Sequence, residues 1–182
     1  MRLIALAAIL LGALPSGSMA DKPNVSRALI KSLEGGIEFE LLRTWPNDPP
    51  EVLGVTHGAY VDGYGAVFMA EMNLALGSGI SPFHPQITAD EAKRLHEKKM
   101  ARIPQLKTAM REILLNSAAS LDSVPDDQQI VFAISLFYWH GENTEGLPAQ
   151  IVMHGQRRAL VDIKTGRVNK STLASVVTER EY

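Results

Sequence analysis

The sequence predicts an α+β fold: an antiparallel sheet of about five to six strands packed in two layers on one long, Pro-kinked helix. Three observations lead there. Two apolar, β-prone runs flank Asp62-Gly63, a dipeptide suited to a hairpin turn. A long helical periodicity follows, broken by Pro104, and several β-prone segments come after it. Strand and helix do not alternate repeatedly, which argues against a doubly wound parallel sheet.

The chain has 182 residues, 46% of them hydrophobic and 21% charged, with no cysteine and a formal net charge of −2. That composition suits a globular protein rather than a disordered one. Without cysteine there are no disulfides, thiolate metal sites or cysteine nucleophiles.

Residues 1–20 read as a cleaved signal peptide. Arg2 precedes an apolar run over residues 3–14, and Ser18-Met19-Ala20 is a small-x-small cleavage pattern, so the mature chain is expected to begin at Asp21. The run is short for a membrane span, and no later stretch approaches the roughly 18 apolar residues that a span needs. Residues 21–182 then form a single α+β domain that is periplasmic or secreted, its charge moving from −2 to −3 as Arg2 is lost. Export without cysteine favours a bacterial envelope.

Within that domain, Asn24, Val25, Ala28, Leu29 and Leu33 predict a short amphipathic helix ending at Gly35-Gly36. Residues 37–42 (Ile-Glu-Phe-Glu-Leu-Leu) begin with the alternation of a half-buried strand, and Trp45-Pro46-Asn47-Asp48-Pro49-Pro50 is a loop. The hairpin is expected over residues 52–76. With Asp62-Gly63 as a two-residue type I′ loop, Val61 faces Tyr64, Ala59 faces Ala66, His57 faces Phe68, Val55 faces Ala70 and Leu53 faces Met72, all on one apolar face. This register makes His57 a core or semi-core residue needing a hydrogen-bond partner.

Residues 77–86 form a loop by composition, and Thr88 to Glu91 is a capping box opening the long helix. Leu95, Ile103, Leu106, Met110, Ile113, Leu114 and Leu121 mark its buried face, and Pro104 is expected to kink or break it near Arg102-Ile103, giving two segments. Its seven basic residues between positions 90 and 112 read as a solvated outer face. Residues 129–139 are the most β-prone segment and read as a central strand. A second hairpin is expected around Gly155-Gln156 and a turn at Lys164-Thr165-Gly166. Residues 169–182 fit either a helix or a strand.

No catalytic motif is present. His57, His84, His96, His140 and His154 have no local zinc-ligand spacing, so no metal site is expected. There is no Gly-x-Ser-x-Gly elbow and no phosphate loop, so no cofactor is implied. The best catalytic candidates are His140, Glu142 and Glu145, in the loop after the central strand. Tyr60 and Tyr64, beside the hairpin glycines, are candidates for a small aromatic binding platform, with cover over strand glycines as the structural alternative.

The expected function is a non-catalytic binding or interaction module of the cell envelope. Its partner would be an envelope protein or envelope component, reached through a sheet edge or the grooves beside the long helix. The acidic balance argues against nucleic acid. Two alternatives stand beside it: a small hydrolase using His140, Glu142 and Glu145, and a carrier whose apolar pocket is lined by Met69, Met72, Met100 and Met110.

Overall fold

The computed structural model describes residues 24–77 and 88–182. The expected signal peptide over residues 1–20 lies outside the described residues, as do His84 and nearly all of the loop expected over residues 77–86.

The first helix, α1, spans Arg27–Arg43 and is capped by Ser26, whose hydroxyl accepts a hydrogen bond from the Leu29 N–H. It runs straight through Gly35-Gly36, so the helix stop and the following strand expected from the sequence are both replaced by helix. The alternation of residues 37–41 is one fragment of a longer stripe, Ile30, Ile37 and Leu41, all buried in the core. Burial of that 3.6-residue pattern outweighs the two glycines. Phe39, which a strand would place on the same face as Ile37, is instead 64% exposed.

The strands β1 (Glu51–Val52), β2 (His57–Val61) and β3 (Gly65–Asn73) follow. The hairpin forms, but its register is displaced by one residue: Gly58 faces Phe68, Ala59 faces Val67, Tyr60 faces Ala66 and Val61 faces Gly65. Gly63 takes φ +75° while Asp62 stays at negative φ, so the turn is not type I′, which needs positive φ at both positions. The loop therefore lengthens to Asp62-Gly63-Tyr64, closed by the Tyr64 N–H donating to the Val61 carbonyl at 3.0 Å. A one-residue slip exchanges the faces of β2. His57 becomes exposed rather than core, and Gly58 and Tyr60 turn toward the interior.

Helix α2 (Ala89–Ser120) opens as expected, with the Thr88 hydroxyl accepting from the Glu91 N–H at 3.2 Å. It continues unbroken past Pro104, so the two expected segments are one helix of 32 residues. It connects β3 to β4 (Gln129–Leu136), and these neighbours run parallel, Ala66 beside Ile130 and Phe68 beside Phe132. The sheet is consequently mixed rather than purely antiparallel. A single long crossover suffices for one parallel pair, without the repeated alternation of a doubly wound fold. Strand β4 is central, as expected, and ends at Leu136.

Strand β5 (Gln150–Gln156) pairs antiparallel with β4 and passes directly into helix α3 (Arg157–Lys164). Helix takes the place of the second hairpin because Leu160 and Ile163 share one face and reach the core. The Arg157 and Arg158 N–H groups of its first turn donate to the Gln128 and Asp126 carbonyls. The turn at Gly166, with φ +75°, is present. The tail takes both forms in succession: a 3-10 turn (Lys170–Thr172), a short helix α4 (Leu173–Val176), and strand β6 (Thr178–Glu181) on the outer side of β5.

Six strands form one sheet, ordered β1-β3-β4-β5-β6 with β2 also paired to β3. All four helices lie on one side of it. The core contains Ala66, Phe68, Ala70 and Met72 of β3, Ile130, Phe132, Ile134 and Leu136 of β4, and Ile151 and Met153 of β5, packed on residues of every helix. From each of these strands only alternate residues contribute, so the opposite face of the sheet has no helical layer.

Candidate functional site

Residues 137–149 leave the end of β4 and return to β5, carrying His140, Glu142 and Glu145. Only Glu142 turns inward. Its Oε2 lies 2.5 Å from Lys99 Nζ of α2, and the two side chains are 2% and 0% exposed. Its Oε1 accepts the Trp139 N–H at 2.9 Å. Lys99 also donates to the Phe137 carbonyl at 3.3 Å and sits 4.8 Å from the centre of the Tyr138 ring. Burial pushes the Lys99 ammonium below its usual pKa, and the hydrogen bond and charge of Glu142 oppose that. Tyr138 donates its hydroxyl to the Pro148 carbonyl at 2.7 Å; burial, reinforced by the Glu142 charge, pushes it up to about 12. His96 completes the contact with α2, its Nδ1 lying 2.9 Å from the Asn143 carbonyl and donating to it.

This cluster is a clamp. Both oxygens of Glu142 are engaged, so neither is free to accept a proton from a substrate, and Lys99 has no exposed surface to offer as a nucleophile. His140 and Glu145 are exposed, and no hydrogen bond or ion pair among the described residues joins either of them to Glu142. The convergence that a hydrolase at this loop would need is absent from the described residues.

A second buried cation lies one turn further along α2. Arg102 donates to the Asp48 carbonyl at 2.7 Å, to Asp48 Oδ2 at 2.5 Å and to the Leu74 carbonyl, with its guanidinium 5.2 Å from the centre of the Trp45 ring. A hydrogen bond from Lys98, aided by the nearby Arg102 charge, holds the Asp48 carboxyl below its usual pKa against the cost of burial. Lys99 and Arg102 belong to the inner face of α2, not to the solvated outer face expected of the basic residues. Their signal was present in the sequence. Leu95, Lys99, Arg102, Leu106, Met110 and Ile113 form one continuous stripe at spacings of three and four, with two cations filling the gap between leucines.

The tyrosines do not form a platform. Tyr60 packs from the inner side of β2 and donates its hydroxyl to Gln128 Oε1 at 2.9 Å, whereas Tyr64 sits in the turn and is 46% exposed. The four methionines proposed to line a pocket are also divided. Met72 and Met110 are core residues, while Met69 and Met100 are exposed, so the four share no wall.

The feature with the character of a binding surface is the uncovered face of the sheet. Its cross-strand rows follow from the register. One row runs His57, Met69, Ala133, Val152 and Arg180; the next runs Ala59, Val67, Val131, His154 and Thr178; a third runs Glu71, Ser135 and Gln150. The middle of the face is apolar, with Met69 48% exposed but Val131 and Ala133 buried, and histidine, arginine, glutamate and glutamine stand around it. At one corner Leu53, Val55, His57, Met69, Glu71 and Ser135 line a shallow cleft of ≈ 240 Å³. On the helical side a groove of ≈ 450 Å³ between α1 and α2 has mixed walls, including Glu40, Arg43, Gln105, Glu112 and Ile113.

Among the described residues, no group of three or more His, Asp or Glu side chains is placed to hold a metal ion, and no helix is long and apolar enough to cross a membrane. No protein-family model matches the chain, and neither the curated proteins nor the solved structures searched contain a match to it.

Proposed function

We propose that this chain is an exported, non-catalytic binding module of a bacterial cell envelope, which docks an envelope protein or component on the uncovered face of its sheet. One observation carries the reading: the apolar centre of that face, with Met69 half-exposed, lies within a polar rim and has no helix over it. A partly apolar patch surrounded by polar groups is the usual anatomy of a docking surface. The commitment of Glu142 to Lys99 supports binding over hydrolysis at the neighbouring loop. Export rests on residues 1–20, where Arg2, the apolar run and Ser18-Met19-Ala20 form the signal pattern.

Photo-crosslinking tests the docking reading. A photoreactive side chain at Met69, on the open face, should give one discrete adduct in the periplasm of an expressing cell. The same group at Phe39, exposed on α1, should give none. Equal labelling at the two positions, or none at Met69, would remove the open face as the docking surface. Amino-terminal sequencing of the periplasmic protein tests export independently, and a start at Asp21 is expected.

A further inference from the structure

Strand β6 ends the sheet on the β5 side, and half of its backbone faces away from β5. Tyr182 and Gln150 exchange both backbone hydrogen bonds, at 3.0 and 3.2 Å, so the alternation of an antiparallel ladder assigns Arg180 and Thr178 to the pairs bonded with Val152 and His154. The N–H and C=O groups of Glu179 and Glu181 therefore point outward, and among the described residues none of the four has a hydrogen-bond partner. On the other side of the sheet the backbone groups of Gly58 in β2 are taken: Glu34 Oε1 accepts the N–H at 2.8 Å and Arg27 Nη1 donates to the C=O at 2.9 Å.

The open strand is also held in place. Val177 before it is buried and Tyr182 after it is bonded to Gln150. Along its length the side chains reach back to α2: Glu179 lies 3.0 Å from Lys107 and 2.6 Å from Arg111, and Glu181 pairs with Lys107. A strand fixed in this way presents its outward groups in ladder geometry with no ordering cost of its own.

Charge decides what can pair there. Lys107 and Arg111 neutralise Glu179 and Glu181 on the helical side. Arg180, which stands beside Val152 on the open face, is exposed and has no ion pair or hydrogen bond among the described residues. In a second copy paired about a two-fold axis so that all four outward groups are bonded, Arg180 would face its own counterpart and Glu179 would face Glu181. Like charges directly opposite are destabilising, so the edge rejects another copy of this chain. A strand with a carboxylate opposite Arg180 meets no such conflict.

The geometry points to strand addition at β6: an extended segment of another protein, with an acidic side chain opposite Arg180 and uncharged residues on either side of it, pairs antiparallel with this edge. The outward backbone groups supply the affinity and Arg180 the selectivity. The edge is a separate surface from the open face, and strand addition does not rest on docking there.

The probe is a blocked peptide, Thr-Thr-Val-Glu-Val-Thr-Thr, titrated into isotopically labelled protein isolated from cells. The Glu179 and Glu181 amide signals should shift and their hydrogen exchange should slow, while Gly58 is unmoved. Replacing the peptide's glutamate with lysine should weaken binding about five-fold, and the preference should reverse in the Arg180→Glu variant, whose changed side chain is exposed. Methylating the backbone nitrogens of the two valines, which would donate to the Glu179 and Glu181 carbonyls, should abolish binding. No shift at Glu179 and Glu181 up to millimolar peptide, or equal affinity for the two peptides, overturns the proposal. So does undiminished binding of the methylated peptide, or a preference for glutamate that survives Arg180→Glu.

Discussion

Lys99 Nζ and Glu142 Oε2 stand 2.5 Å apart with almost no solvent contact on either side chain, joining the middle of the long helix to the loop that follows the central strand. A buried pair of this kind contributes little compared with a well-packed apolar replacement, yet removing one partner strands the other charge. The Glu142→Gln variant should therefore lose about 3–5 kcal/mol of stability. The K99M/E142L double variant should recover most of that loss, as measured by chemical denaturation.

Alkaline stability should depend on Tyr138. Its folded pKa is raised from 10.0 to about 12, so its contribution is complete below pH 10.0 and is lost as pH rises toward about 12. Lys107 acts in the same direction: its contacts with Glu181 and Glu179 outweigh burial and raise its pKa. Lys99, lowered chiefly by burial, acts in the opposite one. Comparison with Tyr138→Phe isolates the hydroxyl. The stability difference between the two proteins should be constant up to pH 10.0 and change only above it.

Glycine requirements should differ sharply by position. Gly65 takes φ +139°, and a Cβ there would lie 1.9 Å from the Gln129 carbonyl oxygen, where β3 meets β4. Gly65→Ala should cost about 3–5 kcal/mol or prevent folding. Gly35→Ala and Gly36→Ala meet no atom, and each should stabilise α1 by about 1 kcal/mol, read as a raised Tm.

Two methionines of β3 should give opposite results. Met72 is fully buried in the core and Met69 is half-exposed on the open face. Met69→Lys should change stability by no more than about 0.5 kcal/mol, while Met72→Lys should unfold the protein. Circular dichroism with thermal melting distinguishes them.

Acid should loosen β6 before the rest of the sheet. Burial alone would push the Glu179 carboxyl up, but the hydrogen bond from Lys107 and the charge of Arg111, at 3.0 and 2.6 Å, outweigh it and hold the group below 4.5. Its contribution is present above the ordinary carboxylate value and is lost as pH falls through the lowered one. Glu179→Gln should imitate acid at neutral pH, with faster exchange at Val152 and His154, whose strand β5 pairs with β6.

Sequence patterns located the elements whose chemistry is local. The Thr88 cap, the apolar face of α2 from Leu95 to Ile113, the central position of β4 and the turn at Gly166 all follow from residues close together in the chain. The misread elements depended on distant residues. Residues 37–41 satisfy a strand and a helix equally until Phe68 and the sheet are there to receive Ile30, Ile37 and Leu41. The hairpin slip turned on whether Asp62 would take positive φ, which its sequence neighbours do not determine. Glu142 reads in the sequence as a catalytic candidate, but its partner stands on another element. A cation inside an apolar stripe was the available sign that Lys99 had one.

The β3-α2-β4 crossover has a consequence for how the chain is made. Ala66 and Ile130, neighbours in the finished sheet, are separated by about sixty residues, so their pairing must close a long loop late in folding. A nascent chain that has reached Ser120 holds the first hairpin with one edge of β3 unpaired and with the Phe68 and Met72 face still lacking its β4 neighbours. Any pause in synthesis within α2 therefore leaves an adhesive surface waiting for β4, and a truncated product ending there should be insoluble.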